Sequence, residues 1–237
     1  NFGDDTHYGG AGNDTLTDDQ GTNTLDGGDG NDNLTAKSLT GNQTLRGGSG
    51  RDYLNAAGKT VTLDGGIGDD NLRAEGRVYK ANQWQYVQNG KATLSGGEGN
   101  DSLQATSYVS AELFGGDGDD HLSASGHWSE GIVNSRLFGE DGNDSLHVRL
   151  TNGDWAQLGA SYKDTRSAIL SGGDGDDNLH TEIYYFNPNS GDFTANSDGG
   201  NGNDSIRIRS RYTFKGSVNV SGGNGNDDIE VTDSDAG

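Results

Sequence analysis

The 237-residue sequence contains no cysteine and no methionine, and Pro188 is its single proline. The absence of cysteine excludes disulfide bridges and thiolate metal sites, so any bound metal has oxygen or nitrogen ligands. Apolar residues make up only 28% of the chain, and no apolar run is long enough to span a membrane. A chain of this composition does not fill a large hydrophobic core. We therefore expect a fold that depends on another source of stability.

Basic residues are scarce too. The chain has 16 Lys and Arg against 37 Asp and Glu, which gives a net charge of -21 and a pI near 4.2. This charge opposes a compact fold unless cations are bound, and it disfavours nucleic acid as a partner. We expect neither membrane insertion nor an oligomer. No signal peptide opens the chain and no initiator Met is present, so we expect a processed or excised piece of a longer protein.

Glycine, by contrast, is abundant, with 42 residues, and most of it lies in one repeated motif. The motif is Gly-Gly-x-Gly-(Asn/Asp)-Asp, followed one residue later by Leu or Ile. Ten copies begin at Gly9, Gly27, Gly47, Gly65, Gly96, Gly115, Gly139, Gly172, Gly199 and Gly222. Their spacings are 18, 20, 18, 31, 19, 24, 33, 27 and 23 residues. A constant minimum with occasional insertions is typical of a solenoid, in which each coil covers the apolar side of its neighbour.

The motif carries the chemistry of a hard cation site. Its glycines allow tight bends that turn carbonyl oxygens inward, and its last Asp adds a carboxylate, so Ca²⁺ with six to eight oxygen ligands is the natural occupant. Ten stacked turns leave about nine inter-turn sites, which would offset most of the negative charge. The candidate aspartate ligands are Asp14, Asp32, Asp52, Asp70, Asp101, Asp120, Asp144, Asp177, Asp204 and Asp227. The candidate glycine ligands are Gly28, Gly30, Gly66, Gly68, Gly97, Gly99, Gly116, Gly118, Gly173, Gly175, Gly200 and Gly202.

These repeats resemble the RTX (hemolysin-type calcium-binding nonapeptide) family. The resemblance implies an all-β fold, a right-handed parallel β-roll of about ten coils that forms a single domain over residues 1–237. It also implies calcium between successive turns and secretion by the bacterial type I route. It does not imply an activity, because such rolls accompany proteins of many functions.

The repeat spacing and the residues between the motifs refine this fold. One motif per coil of about 18 residues predicts calcium turns on one edge and extended strands or hairpins on the other. Alternate residues after each motif, such as Leu34 and Ala36 or Ile206 and Ile208, are predicted to point inward. Four substitutions put individual sites in doubt, and they are Glu140 at the second glycine, Arg51 before Asp52, and Ala11 and Ile67 at the variable position.

Outward residues of neighbouring coils fall into columns across the predicted stack. One column contains Arg73, Gln104, Ser123, His147, His180, Arg207 and Glu230, and the next contains Glu75, Thr106, Ser125, Arg149, Glu182, Arg209 and Thr232. If no bulge intervenes, a third column contains Arg77, Tyr108, His127, Thr151, Tyr184 and Arg211. The columns form a cationic patch in an acidic chain. Longer inserts nearby collect the aromatic residues Tyr79, Trp84, Tyr86, His127, Trp128, Trp155, Tyr162, Tyr184, Tyr185 and Phe186.

Three functions fit this pattern. The first is a purely structural calcium-folding module or adhesin spacer. The second is a surface that binds an acidic, uronate-containing polysaccharide, with Arg149, Arg207, Arg209, Arg211, His127 and Glu182 as candidate contacts. The third is a lyase that cleaves such a polysaccharide by β-elimination, with His147 or His180 as base and Tyr184 as acid. The alternative is that these residues form a solvent-exposed charge ladder that contributes little to stability.

Overall fold

Two long parallel sheets make up the computed structural model, which describes residues 3–87, 90–126, 134–151, 166–184, 193–211 and 216–233. The first sheet contains β1 (Thr6–Ala11), β3 (Asn23–Asp29), β5 (Asn42–Ser49), β7 (Thr60–Ile67), β11 (Lys91–Glu98), β13 (Ser110–Asp117), β15 (Asn134–Asp141), β17 (Arg166–Asp174), β19 (Phe193–Asn201) and β21 (Gly216–Asn224). The second contains β2 (Thr15–Asp18), β4 (Asn33–Lys37), β6 (Tyr53–Ala57), β8 (Asn71–Glu75), β12 (Ser102–Thr106), β14 (His121–Ser125), β16 (Ser145–Thr151), β18 (Asn178–Tyr184), β20 (Ser205–Ser210) and β22 (Asp228–Asp233). The remaining strands, β9 (Arg77–Lys80) and β10 (Gln83–Tyr86), pair as an antiparallel hairpin.

Each coil contributes one strand to each sheet, and equivalent residues of successive coils pair in register. In the second sheet Leu34 pairs with Leu54, which pairs with Leu72, and all three are fully buried. Alanines two residues further on, such as Ala56 and Ala74, form a parallel buried ladder. The first sheet contributes buried ladders of its own, such as Leu45, Leu63 and Leu94. The core is therefore a few narrow ladders of mostly small and medium apolar side chains, which explains how a chain with so few apolar residues folds. This confirms the predicted parallel β-roll.

The last described coil continues the apolar ladders of both sheets, but its own apolar side chains stay partly exposed. Val218 and Val220 of β21 are only partly buried, and Ile229 and Val231 of β22 are 46% and 55% exposed. Their orientation follows the predicted alternation, but no further described coil packs against them.

Tyr108 contradicts the third outward column. Its side chain is fully buried, and its hydroxyl donates a hydrogen bond to the carbonyl oxygen of Glu75 at 3.1 Å. The preceding residue, Ser107, has a φ of 62°. That left-handed residue breaks the strand alternation, so the next side chain points inward. The column prediction was wrong at this position because it assumed uninterrupted strand geometry.

The insert after Leu72 forms the β9–β10 hairpin, as predicted for the edge opposite the glycine turns. On it Tyr79 and Trp84 meet edge to face at 5.2 Å, and the Arg77 guanidinium lies 4.3 Å from the Trp84 ring centre. Among the aromatic and histidine residues of the other inserts, Tyr184 ends β18, whereas the remaining ones lie outside the described residues, namely His127, Trp128, Trp155, Tyr162, Tyr185 and Phe186. Among the residues that the structure describes, no helix is long and apolar enough to cross a membrane.

Candidate calcium spaces and a cationic face

The ten glycine turns lie on one edge of the roll and share one backbone conformation. The second and third glycines of the motif take positive φ values, for example 115° at Gly116 and 131° at Gly118. Glycine adopts these angles without steric cost. At the second position of one turn, Glu140 takes a φ of 80°, which is a strained conformation for a residue with a side chain.

The last aspartates of the motifs form a continuous ladder beside these turns. The backbone N–H of Asp32 donates to Oδ1 of Asp52 at 2.7 Å, and that of Asp52 donates to Oδ1 of Asp70 at the same distance. The pattern repeats from Asp14 to Asp227, and eight of the ten side chains are at most 3% exposed. From Asp32 onward, each Oδ1 of the ladder therefore accepts a hydrogen bond from the preceding turn.

The second oxygen of these carboxylates has no partner. Oδ2 is buried without a hydrogen bond among the described residues in Asp14, Asp32, Asp52, Asp70, Asp101, Asp120, Asp144, Asp177 and Asp204. One unpaired buried oxygen would be costly, and a row of nine points to a cation that the protein alone does not provide.

A small space lies beside each of these oxygens, at the first glycine of the motif. A Cβ added to Gly115 would collide with Oδ2 of Asp120 and would lie 2.6 Å from the carbonyl oxygen of Gly139 in the next turn. The same two kinds of oxygen surround the corresponding position in the other turns that have a successor. The space is therefore lined by a carboxylate oxygen from one turn and a carbonyl oxygen from the next.

The ionisation of the ladder reflects its burial. Burial, together with repulsion from neighbouring carboxylates, raises the pKa of Asp70, Asp120 and Asp177 to about 7, although a backbone hydrogen bond to each carboxylate lowers it in part. Burial likewise raises the pKa of Asp101 and Asp144 to about 6. A bound cation would restore the charged forms.

The second sheet carries a separate group of charged residues on its outward surface. We call it the cationic face, and it comprises His147, Arg149, His180, Glu182, Tyr184, Arg207, Arg209 and Arg211. His147 pairs in register with His180, which pairs with Arg207, and Arg149 pairs with Glu182, which pairs with Arg209. The first two predicted columns are therefore confirmed at these positions.

The charged and aromatic groups of the cationic face lie close together, but Glu182 forms no hydrogen bond with its described neighbours. The imidazoles of His147 and His180 stack with centres 5.1 Å apart. Glu182 lies 3.7 Å from Nε of Arg149, 3.8 Å from Nε2 of His147 and 4.0 Å from Nε2 of His180, so it attracts all three without a hydrogen bond. Burial lowers the pKa of both histidines, and the carboxylate of Glu182 opposes that shift.

Tyr184 lies beyond Glu182 on the same strand. The guanidinium groups of Arg149 and Arg211 each lie 4.5 Å from its ring centre, a cation–π distance that orients both. Arg209 and Arg211 border a shallow cavity of about 170 Å³ that Glu182 and Tyr184 also line. The structure thus brings together all the predicted residues of this face except His127, which lies outside the described residues.

A comparison with protein-family models matched the RTX calcium-binding nonapeptide repeat over residues 1–34, 39–72, 87–107, 112–127, 134–149 and 169–182, which together make up more than half of the chain. The chain belongs to the RTX calcium-binding family. Neither the curated proteins nor the solved structures gave a match.

Calcium fits the edge of this RTX roll on structural grounds as well. RTX repeats bind calcium, and the stacked aspartates offer what a hard cation needs, namely unpaired buried carboxylate oxygens beside backbone carbonyls. This supports the calcium prediction.

Arg51 interrupts a second, more exposed ladder of the RTX turns. At the position before each aspartate, the side-chain oxygen accepts the backbone N–H of the next turn, as Asn31 does from Arg51 at 2.8 Å and Asp69 does from Asn100 at 3.0 Å. Arg51 has no side-chain acceptor, so it does not offer this bond to the turn that contains Asp69.

The predicted glycine ligands included only second and third glycines of the RTX turns, whereas the structure places the first glycine beside the space next to the aspartate oxygen. All ten first glycines lack a positive φ, so backbone conformation does not explain them. They are glycine because a Cβ would occupy the space between the two oxygens. The signal was in the sequence, since this position is glycine in all ten copies whereas the second is Glu140 in one.

Proposed function

We propose that this RTX roll is an extracellular, calcium-folded module whose cationic face binds the carboxylate groups of an acidic, uronate-containing polysaccharide. One observation carries the proposal. Four nitrogens on this face are buried without a hydrogen-bond partner among the described residues, namely Nε2 of His147 and His180 and Nε of Arg149 and Arg207. Buried polar nitrogens are normally paired, and a row of anionic ligand groups would provide the partners.

Arginine suits this ligand well. A guanidinium presents a planar pair of donors that matches a carboxylate, and it remains charged at any physiological pH. The face has four arginines against Glu182 and the neighbouring Glu230, which lies 3.5 Å from Arg207 and 3.7 Å from Arg209. A net positive surface therefore remains on a chain whose net charge is -21.

The shape of the face favours a polymer over a small molecule. The cavity beside Arg209 and Arg211 has a volume of about 170 Å³, whereas sites that enclose a small molecule usually measure about 300–1,000 Å³. It has room for a carboxylate or part of a sugar ring. A chain lying across β16, β18 and β20 would place successive carboxylates on successive strands.

Calcium would have a structural role in this module. We assign Oδ2 of the ladder aspartates and the carbonyl oxygens of the first glycines as ligands, and bound Ca²⁺ would supply the charge compensation that the ladder lacks. RTX repeats are typical of type I secreted proteins, and the millimolar calcium outside cells would load such sites.

Calorimetric titration of the calcium-saturated chain with polygalacturonate and with neutral dextran tests the glycan proposal. We expect binding of the acidic polymer alone, and we expect the double variant Arg209→Ala/Arg211→Ala to weaken it about tenfold or more, since charge-assisted hydrogen bonds contribute about 1.5–3 kcal/mol. The matched control is Arg136→Ala, an outward arginine of the first sheet beside Glu112. Equal binding of both polymers, or equal losses in both variants, would contradict the proposal and favour a purely structural module.

A lyase is a second candidate, because His147, His180 and Tyr184 lie on one face and burial lowers the pKa of both histidines, which favours the unprotonated imidazole that can accept a proton. A histidine nitrogen would take the C5 proton of a uronate, the freed electron pair would form the C4–C5 double bond, and the bond from C4 to the glycosidic oxygen would break. Tyr184 would protonate that oxygen. Ultraviolet absorbance of the unsaturated product measures this reaction, and His147→Ala/His180→Ala should abolish it while the neutral-polymer control stays flat.

A further inference from the structure

Three side chains of the cationic face place possible metal ligands close together. His147 from β16 and His180 and Glu182 from β18 each place one ligand atom within 4.8 Å of the others, and all three residues are half-buried. The two imidazole rings are nearly parallel, with an angle of 20° between their planes. Such a two-histidine, one-carboxylate group is found nowhere else among the described residues.

The environment of the two ring nitrogens argues against a purely structural cluster. Nε2 of His147 and Nε2 of His180 are both buried, and neither has a hydrogen-bond partner among the described residues. Their distances to Glu182, 3.8 and 4.0 Å, exceed hydrogen-bond length. A single ion between the three groups would bind both nitrogens and one carboxylate oxygen at once.

We infer that His147, His180 and Glu182 form a binding site for a divalent transition metal of the Zn²⁺ class, separate from the calcium turns. Two imidazole nitrogens and one carboxylate oxygen suit Zn²⁺, whereas Ca²⁺ requires more oxygen ligands. In a tetrahedral site, ligands about 2.0–2.2 Å from one ion lie roughly 3.3–3.6 Å apart. The side chains must therefore move closer together by roughly 1 Å or less on average, which side-chain rotation on an outward face provides.

The charges around the site set its affinity. Arg149 lies 3.7 Å from the same Glu182 oxygen that faces His147, so the metal competes with this arginine for the carboxylate. Arg207 and Arg209 also oppose a cation, but Glu230 lies beside both and offsets part of their charge. Three protein ligands leave a further coordination position for water or an anionic ligand group.

This inference does not depend on the proposed glycan binding. A metal on both imidazoles would occupy two of the four unpaired nitrogens and remove the histidines as bases, so it excludes the lyase, but Nε of Arg149 and Arg207 would still be available for carbohydrate recognition. Metal binding is measured without any polysaccharide, and Arg209→Ala/Arg211→Ala should retain it. Each proposal can therefore be disproved without disproving the other.

Co²⁺ titration of the full chain, in excess Ca²⁺ to fill the oxygen sites, tests the inference through visible absorption of the bound ion. We expect one equivalent to bind and Zn²⁺ to displace it. His147→Ala/His180→Ala should weaken binding by about 100-fold or more, since even residues that only orient metal ligands change affinity by 10–100-fold. Glu182→Gln, which keeps the side-chain volume, should weaken it by about tenfold or more.

His7→Ala is the matched control, because His7 lies in the first sheet beside Asp18 and is not part of the cluster. It should bind Co²⁺ like the parent chain. Circular dichroism of each variant in Ca²⁺ verifies folding, and Glu182→Gln decides the outcome if the double histidine variant does not fold. Absence of Co²⁺ binding in excess Ca²⁺, or binding that neither the histidine variant nor Glu182→Gln weakens, would overturn the inference.

Discussion

At the scale of single residues, the glycines of one motif are required for two different physical reasons. The second and third glycines, such as Gly116 and Gly118, take positive φ values. The first, such as Gly115, takes an ordinary conformation and is glycine because oxygens of two turns surround the place of a Cβ. Substitutions at the two kinds of position should therefore destabilise the protein for different physical reasons.

Gly115→Ala should displace calcium without requiring a strained backbone angle. The added methyl would occupy the space between Asp120 and Gly139, so we expect the loss of about one bound ion and a destabilisation of about 1–3 kcal/mol, typical of overpacking. Calcium stoichiometry by calorimetry and thermal unfolding in Ca²⁺ measure both effects. Gly3→Ala, whose added Cβ has 4.0 Å of clearance from Asp5, is the control, and equal losses in the two variants would contradict this explanation.

Asp120→Ala should be more damaging, because one carboxylate takes part in two inter-turn contacts. Its Oδ1 accepts the N–H of Asp101 at 2.7 Å, and its Oδ2 borders the space toward Gly139. We expect lower calcium stoichiometry and a cooperative loss of stability, measured by calorimetry and thermal unfolding. Asp19→Ala, an exposed aspartate in the opposite turn, should leave both quantities unchanged.

At the scale of strands and turns, the repeat pattern predicted most of the structure. The inward alternation of Leu34 and Ala36 follows from strand geometry, and the regular motif places both in register with the next coil. Tyr108 was misplaced because a single left-handed residue, Ser107, reversed the alternation. Such a break has no strong signal in the sequence, because serine, unlike glycine, does not mark positive φ.

The turn that contains Arg51 should be a weak point that substitution can repair. Arg51→Asn would restore the acceptor for the backbone N–H of Asp69, and we expect a gain of about 0.5–1 kcal/mol, the usual contribution of one hydrogen bond. The converse change, Asn100→Arg, should cost a similar amount, because Asn100 accepts from Asp119 at 2.7 Å. Thermal unfolding in saturating Ca²⁺ measures both, and shifts of the same sign would refute the ladder argument.

At the scale of the whole molecule, a thin core and a column of buried carboxylates make folding depend on calcium. We expect a chain that is largely unfolded in chelator and becomes β-rich at roughly 0.1–1 mM Ca²⁺, the range of extracellular calcium modules. Magnesium should substitute poorly, because it requires octahedral geometry and keeps its water. Circular dichroism during titration with each ion tests this, and identical spectra with and without chelator would disprove it.

The folded state of the calcium-free chain should become more stable, not less, as the pH falls towards 5. Burial raises the folded-state pKa of Asp70, Asp120 and Asp177 from 3.8 to about 7, so the folded chain holds protons that the unfolded chain releases. Their contribution to stability is complete below about pH 4 and is lost as the pH rises through about 7. In metal-free buffer, β-structure measured by circular dichroism should increase on acidification from pH 8 to pH 5. An unchanged or weaker signal at pH 5 would contradict the assignment.

The hydrogen bonds to the last aspartates of the motifs all run in one direction, since each of these carboxylates accepts from the turn before it and none from the turn after it. The stack therefore has a polarity, like a polymer filament with two unequal ends. A coil added at the carboxyl end closes the space left open by its predecessor, so each ion that binds there makes the previous addition harder to reverse. Folded structure would therefore build up one coil and one ion at a time, and each step would become harder to reverse once the next coil had formed.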